Sequence, residues 1–208
     1  MAKGIAKPMP SRETQDYYDA TANRDVRVDL TEAIELVTKK NIAIDCGCGA
    51  GRDIEHLRQQ GFEVYGFDLE SEAVDRCNRR FARDEKVHVT EASFSSFEYC
   101  PANLIVADAS LFYCPPEEFV EVWHKIVSAL LPGGVFVGSF LGFRDSMVVG
   151  PVQGEVDWPI VSSFDERSLR SNFDQLNIVK WTEHEMDGKK VNGDDNHWHI
   201  YAVIAEKK

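Results

Sequence analysis

The sequence predicts an α/β protein, a doubly wound, mostly parallel sheet with helices on both faces. Three observations lead there. Strand-sized apolar runs alternate with stretches of helical period along most of the 208 residues, which is the pattern of repeated βαβ units. A glycine-rich turn, Asp45-Cys46-Gly47-Cys48-Gly49-Ala50-Gly51, separates the first such run from the first main helix. Two strand-like runs close the chain around hairpin-type turn signals, which predicts an antiparallel end to the sheet.

Asn41–Asp45 is a short apolar run that stops at an acid, so it reads as the first strand. Residues 52–60 place Ile54 and Leu57 on one helical face, with Gly61 just beyond. Residues 63–67 form a second strand that ends at Asp68. Ser71 is expected to cap a helix running to about Arg83, with Ala73, Val74, Cys77 and Phe81 inward. Residues 87–90 and 104–107 read as the third and fourth strands. Pro116, Glu117 and Glu118 open a helix to about Leu130, with acids at its positive end. Leu131-Pro132-Gly133-Gly134 then turns the chain into a fifth strand, 135–140. Residues 141–163 read as an irregular, lid-like stretch containing Phe143, Arg144, Asp145 and Trp158. Asp165 is expected to cap a short helix. Residues 176–182 and 198–205 read as strands, with Asp187-Gly188 and Asn192-Gly193 as turn signals.

The chain reads as one domain over residues 15–208 behind a mobile lead-in of residues 1–14. With 35 acidic and 23 basic side chains the net charge is −12. Phosphate backbones are recognised mainly through Lys and Arg, so a nucleic acid partner is disfavoured. No apolar run approaches a membrane span, and the first residues lack a signal-peptide core, so the expected location is cytoplasmic. The five cysteines then read as reduced thiols. The chain carries no sign of whether it is a monomer or a homodimer.

Glycines in the turn let the backbone bend tightly and approach a ligand, and the helix behind it offers free N–H groups. A nicotinamide dinucleotide site asks for Gly-x-Gly-x-x-Gly, and Arg52 stands where the third glycine belongs. An acid at the front of the turn, Asp45, suits a cationic amine or sulfonium better than a pyrophosphate. Asp68, at the carboxyl edge of the second strand, is placed to accept hydrogen bonds from ribose hydroxyls. Its bland alternative is a turn aspartate before the next helix.

On these residues the chain resembles the class I S-adenosylmethionine-dependent methyltransferases over about residues 15–206. DCGCGAGR is similar to that family's first motif, GFDLE to its second-strand acid motif, and LLPGGVF to its turn before the fifth strand. The closing hairpin resembles the family's reversed last strand, which implies seven strands in the order 3-2-1-4-5-7-6. Within the family, DCGCGAGRD, YCPPEEF and HWHIYAVIA most resemble the small tellurite-resistance (TehB-like) bacterial enzymes. That likeness implies a small-molecule methyl acceptor and S-adenosyl-L-methionine as cofactor. It implies that Asp45, Gly47 and Gly49 line the methionine part, with Cys46 and Arg52 also in the cofactor site. Asp68 would hold the ribose, with Leu69, Ser93 and Phe94 about the adenine. The family often carries an acid where this chain has Ser93; Glu91 is the alternative. Ala107 and Asp108 would face the sulfonium and amino group. Tyr17, Tyr18 and Arg24 would belong to a covering helix, with Arg24 on the cofactor carboxylate.

The candidate catalytic residues are His197, His199 and Tyr113. The two histidines alternate on the last strand and so share a face; with His184 they would line the acceptor pocket. They equally read as hydrogen-bonded strand histidines, and no metal site is expected of them. No Asn-Pro-Pro-Tyr-like motif follows the fourth strand, which favours a non-amine acceptor or catalysis by proximity. A non-catalytic cofactor sensor and a nicotinamide oxidoreductase are the rival readings.

Overall fold

The computed structural model describes residues 12–149, 161–189 and 193–208. A single sheet organises them, in the order β3-β2-β1-β4-β5-β8-β7, with the two-residue β6 pairing β5 outside that path. The strands are β1 (Ile42–Cys46), β2 (Glu63–Asp68), β3 (Val87–Glu91), β4 (Ala102–Ala107), β5 (Leu130–Gly142), β6 (Ser163–Phe164), β7 (Leu176–Lys189) and β8 (Asp195–Lys207). Pairings from β3 across to β5 are parallel, and β8 runs antiparallel to both β5 and β7. This is the expected order 3-2-1-4-5-7-6, renumbered by the short β6.

The helices are α1 (Arg12–Thr21), α2 (Val28–Leu36), α3 (Arg52–Gln59), α4 (Ser71–Arg80), α5 (Pro116–Ala129), α6 (Ser146–Val149) and α7 (Glu166–Ser171). Alternation along the strands splits the core in two. Ala43, Val64, Leu104, Val106 and Val135 face α2, α3 and α4 through Leu30, Ile34, Ile54, Leu57 and Cys77. Ile44, Ile105, Phe136 and Phe140 face α5 and α7 through Phe119, Trp123, Ile126, Leu169 and Phe173. Each such side chain, fully buried, contributes about 1.5–3 kcal/mol. The chain leaves β1 toward β2 but leaves β4 toward β5, so the carboxyl edge opens between β1 and β4, where ligands of open α/β sheets bind.

Several boundaries differ from expectation. Residues 1–11 of the lead-in, residues 150–160 of the lid-like stretch with Trp158, and Asn192 lie outside the described residues. Arg12 already opens α1. Ser71 is the first helical residue of α4, not its cap, and the helix ends at Arg80; Asp68 instead receives the Glu70 N–H at 3.0 Å. The Leu-Pro-Gly-Gly turn is a bulge inside β5, where the β4 register shifts between Ala102 and Leu104, and β5 runs on through Gly142. Asp187-Gly188 is not a turn. It lies within β7, where a Cβ at Gly188 would come 2.5 Å from the Trp198 ring, so this glycine makes room for a cross-strand indole. Asp165 caps α7 as expected, accepting the Ser168 N–H at 2.9 Å.

Candidate functional site

The turn after β1 is built on left-handed glycines, with φ of +75° at Gly47, +50° at Gly49 and +78° at Gly51. A Cβ at Gly47 would lie 2.6 Å from Ser110 Cβ, and the Ser110 hydroxyl donates to the Cys46 carbonyl at 2.5 Å. These contacts fasten the turn to the segment after β4, across the opening. Gly47 and Cys48 N–H groups donate to the Phe67 carbonyl at 2.8 and 2.9 Å. The Gly49 N–H donates to Asp68 Oδ2 at 2.9 Å. Asp68 thus shapes the turn, accepting one backbone N–H on each carboxylate oxygen.

Carboxylates converge on this edge. Asp45 is 4% exposed, and its Oδ2 has no hydrogen-bond partner among the described residues. Burial, then the carboxylates of Asp53, Asp68 and Asp108, push its pKa well up. Burial and Asp108 push Asp53 up to about 6, against the pull of Arg27 and Arg52. Arg27 Nε pairs with Asp108 Oδ2 at 2.5 Å. An orphaned buried acid among other acids, beside half-buried glycine backbone, fits a ligand that brings positive charge.

Of the predicted residues, Asp45, Gly47, Gly49, Asp68 and Asp108 come together here. Cys46 and Ala107 are buried with their side chains in the core, so only their backbone reaches the edge. Arg52 opens α3 and gives its Nε to the Arg24 carbonyl. Leu69 stands 60% exposed at the end of β2. Phe94 meets Phe67 edge-on at 5.4 Å and packs on the core. Ser93 Oγ is engaged with the Ser95 and Ser96 hydroxyls at 3.1 and 3.0 Å.

Tyr18 is buried against the turn, 3.8 Å from a Cβ at Gly49. Burial, Asp68 and Glu70 raise its pKa. Arg76 holds α1 down, pairing with Asp19 at 2.5 Å and lying 5.7 Å over the Tyr18 ring. Arg80 adds hydrogen bonds to the Ala22 and Ala50 carbonyls at 3.2 and 3.1 Å. Helix α1 therefore roofs the crevice. Sequence reasoning missed Arg27 and Asp53. Arg24 and Arg27 look alike in the sequence, and the fold aims the second at Asp108. Asp53 carried a detectable signal, an acid in the first turn of the helix behind the glycines.

On the far side of the opening His197 and His199 are hydrogen-bonded strand histidines, the second of their two readings. His199 is 1% exposed. Its Nδ1 accepts from the Arg144 N–H at 3.2 Å, so Nε2 carries the proton toward Glu183 Oε1 at 2.8 Å. Its own N–H donates to Asp145 Oδ2 at 2.9 Å, and a Cβ at Gly142 would overlap its ring. Both ring nitrogens are engaged. His197 Nδ1 meets Asp187 at 2.7 Å and Nε2 meets Glu185 at 3.4 Å; these acids raise its pKa, Asp187 foremost. His184 does not join them. It pairs with Ile200, so it projects from the opposite face of the ribbon. Glu183, Glu185 and His199 present ligand atoms within 4.8 Å of one another, but the Arg144 guanidinium already meets Glu183 at 3.1 Å and Glu185 at 2.6 Å. Tyr113 is half-exposed after β4, and burial, then Tyr17 and Asp145, push its pKa up to about 12.

Residues 43–134 match the family model described as a methyltransferase domain. The carboxy-S-adenosyl-L-methionine synthase of Vibrio campbellii is 28% identical over 100 residues, 45% of this chain and 41% of that protein. The chain thus spans under half the length of such curated relatives. TehB from Haemophilus influenzae superposes with a TM-score of 0.71 at 14% identity, covering 94% of this chain and 67% of that one. Magnesium protoporphyrin IX methyltransferase from Synechocystis PCC 6803, solved with bound S-adenosylmethionine, gives 0.66 at 14% identity, covering 95% and 92%. Among the described residues no helix is long and apolar enough to cross a membrane.

Proposed function

We propose that the chain transfers the methyl group of S-adenosylmethionine to a small-molecule acceptor, on the premise of the methyltransferase-domain match over residues 43–134. The observation that carries the reading is Asp45, a buried carboxylate with an unpartnered oxygen in front of a bare glycine turn. The cofactor's ammonium supplies the missing partner, and Asp108 lies across the opening to share it. Arg27, now on Asp108, is the guanidinium within reach of the cofactor carboxylate. Asp68 takes the ribose hydroxyls and Leu69 covers the adenine. Tyr18 and α1 exclude water from above.

The sulfonium makes the methyl group electrophilic, so the protein's task is to align an acceptor with the breaking S–C bond. Such positioning alone supplies effective molarities of about 10⁵ M or more. His199 has no nitrogen left to act as a base. Tyr113, half-exposed and beside Tyr17 and Asp145, is the side chain best placed to touch the acceptor. A nicotinamide dinucleotide would bring a pyrophosphate to Asp45, and a carboxylated cofactor such as the curated relatives make would add a further anion to an acid-rich edge.

The test is turnover. The protein is incubated with S-adenosylmethionine and a panel of small thiols, hydroxyls and amines, and S-adenosylhomocysteine and product mass are followed. Stoichiometric homocysteine compound and a methylated product support the reading. No turnover beside tight binding moves the chain to the sensor class.

A further inference from the structure

Two thiols face each other beneath the glycine turn. Cys48 Sγ, in the turn, lies 4.0 Å from Cys77 Sγ, in α4, and both are buried. Methyl transfer uses neither. Cys77 Sγ also donates to the Gly49 carbonyl at 3.3 Å. A Cβ at Gly51 would come within 2.9 Å of the same sulfur. The turn that lines the crevice therefore rests directly on Cys77.

We propose that Cys48 and Cys77 form a modification site, a dithiol that closes to a disulfide and deforms the cofactor turn. Its chemistry stands alone, while its consequence for binding rests on the cofactor reading above. A disulfide sets its sulfurs about 2.05 Å apart, so they must approach by roughly half their present separation. Cys48 has little room to move. Its N–H and that of Gly47 are held by the Phe67 carbonyl, Gly49 is held by Asp68, and Ser110 stands behind Gly47. Closure breaks the Cys77–Gly49 hydrogen bond and drags the Gly49–Gly51 backbone out of its cradle.

The co-reactant is a hydroperoxide or a small disulfide. With hydrogen peroxide one thiolate takes an oxygen, the O–O bond breaks and water leaves. The second thiol then displaces the sulfenic oxygen as a second water. Two thiols lose two protons and two electrons, and the peroxide gains them. The hydrogen bond with Cys77 and burial push the Cys48 pKa well up, so the covered pair is inert. Lifting α1, with Tyr18, exposes the turn and arms the pair, and a ligand seated beneath α1 protects it.

The test uses the full chain, reduced, with and without saturating S-adenosylhomocysteine, exposed to hydrogen peroxide or oxidised glutathione. Non-reducing peptide mapping should find the Cys48–Cys77 link, formed several-fold more slowly with ligand present. Affinity for S-adenosylhomocysteine should fall about tenfold or more and return with dithiothreitol. Cys77→Ala should make binding insensitive to oxidant relative to its own untreated value. Both thiols remaining alkylatable while the less buried Cys100 oxidises, or a mapped link with unchanged affinity, would overturn the proposal. If reduced protein binds no S-adenosylhomocysteine, the cofactor reading fails, and the mapping still decides the dithiol.

Discussion

Arg27 reaches across the crevice to Asp108, Nε to Oδ2 at 2.5 Å, and joins the segment before α2 to the end of β4. Asp45, nearby, is a buried acid with one oxygen unpartnered among the described residues. Arg27→Gln should weaken S-adenosylhomocysteine binding about tenfold, the scale of one charge-assisted contact. Arg24→Gln should change it by less than about twofold. Equal losses in the two variants, measured by calorimetry, would remove Arg27 from the site.

Asp53 gives a pH signature. Its folded pKa of about 6 stands above the ordinary aspartate value of 3.8, so the folded state holds a proton that the unfolded state releases between these values. The ligand-free protein therefore loses stability from this group as pH rises through that window. Asp53→Asn should flatten the difference and, at pH 8, stabilise the ligand-free protein by about 1–2 kcal/mol. Thermal melts of both proteins from pH 4 to 8 check this. Cofactor binding should strengthen over the same range, because a cationic ligand favours the ionised acids.

Gly47 and Gly61 separate backbone strain from crowding. Both are left-handed, at +75° and +100°. A Cβ at Gly61 meets nothing within 4 Å, whereas one at Gly47 meets Ser110. Gly61→Ala should cost about 1–2 kcal/mol. Gly47→Ala should cost about 3 kcal/mol, adding overpacking to the same strain. Ser110→Gly in the Gly47→Ala background should recover the crowding part in denaturant melts. No recovery would mean the turn and the β4 segment do not bear on each other.

The histidines divide in the same way. His199→Ala strips partners from Arg144 and Glu183 at a buried position and should cost about 2–3 kcal/mol. His197→Gln should leave kcat within about twofold. Its raised pKa adds stability that is full below 6.5 and fades as pH rises through the folded value. Loss of kcat in a folded His197→Gln protein would restore the base role to that residue.

The parts of the fold written in local chemistry were legible. The β1–turn–β2 unit, with Asp45, the glycines and Asp68, follows from an apolar run, left-handed turn residues and a strand-end acid. The reversed last strand followed from the closing hairpin pattern. What escaped depended on neighbours far away in sequence. The Asp187-Gly188 pair reads as a turn until Trp198 is laid over it. The β7–β8 ribbon outruns β5, whose pairing with β8 stops at Leu141 and Ile200, and no sequence period marks that. His184 and the two later histidines look alike until the register assigns them opposite faces. Arg27 is singled out only once the end of β4 is known.

The most direct test is a crystal structure of the chain grown with S-adenosylhomocysteine. The account predicts its ammonium against Asp45, its ribose hydroxyls on Asp68 and its sulfur facing the opening toward Tyr113. Density for the compound elsewhere on the protein, or a different molecule filling the turn after β1, would contradict it.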